Sequence, residues 1–218
     1  MRKTFISVVW LAVVSILTPG CLIKDTTETI YLEPDGSVTW TVLEKDVRSN
    51  EKTATARARE DTDYIAAATA ERHPIALAFS RLDPMDIRTQ ILRAERPYAV
   101  LTVARFTRLD VLMERFAETI GSTATSVLDR HDGVVTWTWT VSDDDGAPAQ
   151  EQDKGVDALG DSFEHCRFVL SAGRFVSAEG FELSDDKREA TLRIPDKSNG
   201  TSPTALLRFS LTWTEVER

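Results

Sequence analysis

Nucleophilic, metal-binding and acid–base chemistry in this 218-residue chain has to come from two cysteines, three histidines and 35 carboxylates. Their spacing excludes most sites of that kind. His73, His131 and His165 are dispersed and form no His-x-x-x-His pair. His165 and Cys166 are neighbours in a strand-like stretch, so their side chains point to opposite faces and cannot share a metal or act as nucleophile and base. No Gly-x-Ser-x-Gly, Ser-x-x-Lys or glycine-rich phosphate cradle occurs, which removes the common serine hydrolase and nucleotide layouts. The acidic stretch 143–161 invites a calcium reading, but aligning Gly146 with the glycine of an EF-hand loop puts Val141 at the first ligand position and Gln152 at the twelfth. No metal and no cofactor is expected. What survives is a pair of carboxylates distant in sequence, as glycoside cleavage uses; Glu44, Glu164 and Glu182 lie on or near strand patterns and could serve, with nothing in the sequence to prefer them over other acids.

Cys21 is a different case. Arg2 and Lys3 lead into an apolar run from Thr4 to Leu17, closed by Thr18-Pro19-Gly20-Cys21. That is the charged, apolar and small-residue order of an export signal. The segment resembles a bacterial lipoprotein signal peptide, although Leu17 and Pro19 depart from its usual spacing. The resemblance covers residues 1–21. It implies cleavage between Gly20 and Cys21, with lipid attached to the Cys21 sulfur. The apolar run is too short to span a bilayer as a helix, so the lipid would hold the protein at the membrane. Leu22 directly after the cysteine is compatible, in that family, with the periplasmic face of the outer membrane where a host has two membranes.

Cleavage there leaves 198 residues, enough for one domain with its own core, carrying 24 basic against 35 acidic residues. A net charge of −11 disfavours both nucleic acid as a partner and electrostatic docking on anionic headgroups, so the lipid must do the anchoring. With Cys21 carrying lipid, Cys166 has no disulfide partner; alternation places it with Phe168 and Leu170 as a buried thiol.

The elements that position these residues are mostly strands. Residues 21–27 read as a short tether. Thr29 to Glu33 and Val38 to Lys45 flank Pro34-Asp35-Gly36, a hairpin signal, and Val38, Trp40 and Val42 share one face. Asp35-Gly36-Ser37-Val38-Thr39-Trp40-Thr41 is echoed by Asp132-Gly133-Val134-Val135-Thr136-Trp137-Thr138, with Thr123 to Arg130 as incoming arm. A helix is expected from about Asn50 to Arg72, ending before His73-Pro74 because a residue ahead of proline leaves the helical region. A short helical turn follows, then strands Ile87 to Ala94 and Tyr98 to Phe106. A second main helix is expected from an N-cap at Thr107, with Asp110 in a capping box and Gly121 as stop. Further strands are expected around 162–170, 174–183, 188–194 and 205–216, with 143–161 as a solvated acidic loop.

The sequence therefore predicts one α+β domain over 28–218: a single antiparallel sheet of about eight strands with two main helices on one face. Trp40, Trp137, Trp139 and Trp213 are expected in its core, with a lipid-sized cavity beside the alanine-rich helix as the alternative. The function expected is that of an envelope-tethered, non-enzymatic binding or assembly module whose partner is an envelope protein or apolar ligand. The alternative is an envelope-polymer hydrolase using dispersed carboxylates.

Overall fold

The computed structural model describes residues 22–70, 72–142, 163, 165–193 and 207–214. The predicted acidic loop, the signal segment, Cys21 and Glu164 lie outside them. Among the described residues, eleven strands and three helices follow in the order β1 (Leu22–Leu32), β2 (Val38–Ser49), α1 (Ala54–Thr69), α2 (Pro74–Ser80), β3 (Asp86–Arg93), β4 (Tyr98–Phe106), α3 (Leu109–Thr119), β5 (Thr123–His131), β6 (Val134–Ser142), β7 (Arg167–Leu170), β8 (Arg174–Glu179), β9 (Phe181–Leu183), β10 (Glu189–Leu192) and β11 (Leu207–Thr214).

The expectation of one antiparallel sheet is corrected. The fold is mostly β and divides into a seven-stranded sheet, β3-β4-β2-β1-β7-β10-β9, and a four-stranded sheet, β5-β6-β11-β8. β1 and β7 pair in parallel, Thr29 with Arg167 through Leu32 with Leu170. The physical reason is that alternation fixes which side chains share a face but not which strand lies alongside. Both sheets turn apolar faces to one core, where Trp137 of the small sheet stacks on Phe168 of the large one at 5.4 Å. α2 and α3 fill the remaining space: Phe79 and Phe116 meet Trp40 edge-on at 5.2 and 5.3 Å. α1 covers a smaller satellite cluster, with Tyr64 and Ala68 against Val47 and Val100.

Both Asp-Gly hairpins form. Asp132 and Gly133 have φ of 49° and 73°, the two positive values of a type I′ turn. The first hairpin closes through Gly36 at φ 85°, with the Gly36 N–H donating to the Glu33 carbonyl. The echo between them extends to side chains. Trp40 Nε1 donates to Glu28 Oε2 at 3.0 Å and Trp137 Nε1 to Ser126 Oγ at 2.8 Å. Each acceptor sits two residues before the tryptophan's cross-strand partner, Ile30 or Leu128.

Two local expectations are also corrected. Leu22 already pairs with Ser49 and Ile23 with Arg48, so residues 22–27 are strand, not free tether. α3 begins at Leu109 with Arg108 as N-cap and no side-chain capping bond. Asp110 instead receives the Arg108 guanidinium, which removes it from the predicted capping box. α1 does stop before His73-Pro74, opening at Thr53, whose hydroxyl accepts the Ala56 N–H.

Candidate functional site

The large sheet's inner face carries carboxylates where alternation demands apolar residues. Glu44 follows Val38, Trp40 and Val42 on β2, and Glu28 precedes Ile30 and Leu32 on β1; each is 1 % exposed. A buried carboxylate is stable only with partners. Glu44 has three, from three other parts of the chain. Lys24 of β1 forms an ion pair with Oε1. The Tyr64 hydroxyl of α1 donates to Oε2 at 3.0 Å. His73, between α1 and α2, brings Nε2 within 2.9 Å of the same oxygen. The His73 ring N–H directions miss hydrogen-bond geometry, and neither ring nitrogen has a hydrogen-bond partner among the described residues. His73 Nε2 therefore touches the Glu44 carboxylate without an aligned hydrogen bond.

The sequence explains why these residues meet. The register Glu44 with Thr26 puts Lys24 on the same face one step along β1. The buried face of α1 carries Asp61, Tyr64 and Ala68, so the Tyr64 hydroxyl reaches Glu44. The His73-Pro74 break ends the helix where the chain passes Glu44. Tyr64 and His73 also pack edge-on at 5.3 Å.

Burial acts to raise the Glu44 pKa, but His73 and Lys24 overcome it and hold the carboxyl down at about 2. Burial and the Glu44 charge push the Tyr64 hydroxyl well above its usual value, so it remains a donor. An ionised carboxylate with its oxygens engaged is a tie between elements. A general acid needs a raised pKa and contact with substrate, and Glu44 has neither. Beside this cluster, buried Asp61 of α1 pairs with Arg96, which is half-exposed in the β3–β4 turn.

The other predicted residues are not brought here. Glu182 lies on β9, 64 % exposed and paired with Arg193. β9 is four strand positions from β2, about 19 Å at the usual strand spacing. By alternation Glu182 also points to the opposite face of the sheet. Glu44 and Glu182 therefore cannot flank one scissile bond, which requires carboxylates about 5–9.5 Å apart. His131 is exposed at the end of β5, paired across the hairpin with Val134 and 3.0 Å from Asp132. His165 is exposed beside buried Cys166. Burial and the nearby Glu28 charge push the Cys166 thiol pKa up, which makes it inert. Among the described residues no three His, Cys, Asp or Glu side chains are placed to hold a metal ion.

The four tryptophans are buried core residues. The inner face of α1, with Tyr64, Ile65 and Ala68, packs against Val47, Val100, Ile91 and Tyr98 of the sheet. A cleft of about 360 Å³ lies instead against α3, lined by Arg81, Val111, Glu114, Arg115, Glu118 and Thr119. Among its charged groups, Glu114 accepts the Ser126 backbone N–H of edge strand β5 at 3.1 Å, and Arg115 pairs with Asp83 at 3.2 Å. Sequence reasoning missed Lys24 and Tyr64. The available signal was the inward parity of Glu44, which demands a cation or donor opposite.

No family model matches the chain and no curated protein matches it. Among solved structures, the chain is similar to the folded domain of the LppM protein of Mycobacterium tuberculosis, determined by NMR. The TM-score is 0.38 at 12% identity, covering 93% of this chain and 95% of that one. A likeness at that level carries no argument about role.

Proposed function

We propose that this chain is a bacterial envelope lipoprotein, held by lipid on Cys21, whose folded domain serves as a non-enzymatic binding or assembly module at the membrane surface. The export half of this reading is supported by the order of residues 1–21. The non-enzymatic half is carried by one observation: Glu44, the inward-facing acid among the three available for hydrolysis, is sealed in the core with its carboxylate taken up by Lys24, Tyr64 and His73. Outer-membrane placement, on the periplasmic side, is the address that Leu22 favours in a host with two membranes.

The test is mass analysis of the mature N-terminus together with membrane fractionation of a Cys21→Ser variant. A diacylated Cys21 and a variant released into the soluble fraction support the reading; an unmodified N-terminus or undiminished sedimentation overturns it. Gentle extraction of the lipidated protein, followed by identification of what co-purifies, then separates a protein partner from an apolar ligand.

A further inference from the structure

The seven-stranded sheet buries one face and leaves the other half-exposed. Tyr31, Leu43, Leu101, Val103 and Val169 stand on that outer face, none of them fully buried. They form two apolar patches, Leu43 with Leu101 and Val103 on one side and Tyr31 with Val169 on the other, separated by Thr29 and Thr41. The described helices occupy the other side, through Val47 and Val100 for α1 and through Ala104 and Phe106 for α2.

Charge on this face does not follow the chain average. Lys45, Arg48, Arg88, Arg105 and Arg167 point outward, against Asp25, Asp86, Glu182 and Glu189. Two of those acids are neutralised locally, Asp86 by Arg88 at 2.8 Å and Glu189 by Arg167 at 3.5 Å, and Glu182 is held by Arg193. Lys45 and Arg48 have no ion-pair partner among the described residues. A chain of net charge −9 thus presents one face that is slightly cationic.

Two of these cations, Arg48 and Lys45, stand at one end of the sheet. Arg48 is the cross-strand partner of Ile23, and Lys45 that of Asp25. Ile23 is 46% exposed, and Leu92, in the β3 bulge at the same end of the sheet, is 50% exposed. Leu22 is already paired, so Ile23 lies two residues beyond Cys21 with no loop between. An apolar side chain beside an unpaired arginine is the pairing that suits a bilayer interface, where the apolar part enters the lipid and the guanidinium stays among headgroup phosphates.

We infer that the outer face of the seven-stranded sheet, at its Ile23–Arg48 end, is a membrane-contact surface for anionic phospholipid headgroups of the leaflet that holds the anchor. This rests on the lipoprotein reading of Cys21. The consequence is a fixed orientation: the sheet lies against the bilayer and the four-stranded sheet faces away. A lipid anchor and a cationic patch acting together hold a protein more firmly than either alone.

The test uses the full lipidated protein in vesicles of phosphatidylethanolamine and phosphatidylglycerol. Cys166 is buried, so an introduced cysteine is the reactive thiol. Gln90→Cys reports the outer face of the large sheet, and Val127→Cys, on the outer face of the small sheet, is the control. With an uncharged, membrane-impermeant maleimide, Gln90→Cys should react about tenfold more slowly than Val127→Cys, and Lys45→Glu with Arg48→Glu should restore its rate. Equal rates at the two positions in protein that floats with vesicles overturn the contact surface and leave the anchor reading standing. Equal protection in phosphatidylcholine vesicles overturns the anionic-headgroup assignment. Failure of the protein to float at all removes the anchor and this inference with it.

Discussion

His73 Nε2 lies 2.9 Å from Glu44 Oε2, with both side chains 1 % exposed. The two residues belong to different parts of the chain, one the N-cap of α2 and the other in the middle of β2. With Lys24 and Tyr64 they make one carboxylate the junction of β1, β2, α1 and the α1–α2 link. Such a junction contributes little when intact relative to an apolar core, and its loss is costly because the remaining charges stay buried.

Removing the carboxylate is therefore expected to destabilise strongly. Glu44→Ala should cost about 3–5 kcal/mol in urea unfolding, leaving the Lys24 ammonium without its counter-charge and the Tyr64 hydroxyl without its acceptor. Lys24→Met should cost less, because Lys24 is partly exposed and its ammonium can otherwise be hydrated. Equal effects of the two substitutions would contradict the geometry.

The same cluster sets an acid limb. Glu44 is held down at about 2 in the folded protein, below its ordinary value of 4.5. A depressed folded pKa means that the stabilisation is fully present above about pH 4.5 and is lost as pH falls toward 2. Stability measured across that window should fall in the native chain, and Glu44→Gln should flatten the fall while lowering stability at neutral pH.

The Trp137 indole depends on Ser126. Ser126→Ala leaves the buried Nε1–H without its acceptor and should cost about 1–3 kcal/mol by chemical denaturation. A double-mutant cycle with Trp137→Phe should show the two substitutions to be non-additive.

Gly173 has φ of 87°, and a side chain there would collide with the Thr214 carbonyl oxygen of β11. Gly173→Ala should cost at least about 1–3 kcal/mol for the backbone conformation alone. Gly133, at φ 73°, has open space around it, so Gly133→Asn should be tolerated with little change in melting temperature.

Cys166 is expected to resist thiol reagents in the folded state and to react once the chain is unfolded in urea. Rapid labelling under native conditions would show that the β7 end of the core opens.

Much of this protein was legible in its residues. Period-two alternation placed Trp40, Trp137 and Trp213 in the core and Cys166 beside Phe168. Asp-Gly pairs marked both hairpins, and His73-Pro74 marked the end of α1. These are local effects: backbone sterics and the facing of neighbouring side chains act over a few residues, so the local sequence determines them. Tertiary structure decided which strands became neighbours, pairing β1 in parallel with β7 far along the chain and splitting the strands between two sheets. It also decided what Glu44 does. An inward carboxylate requires compensating charge, but several cations and donors satisfy that rule equally, and only the folded packing of β1 and α1 selected Lys24, Tyr64 and His73. The same holds for charge on the surface, since composition gives the sum and the sheet register alone places Arg48 beside Ile23.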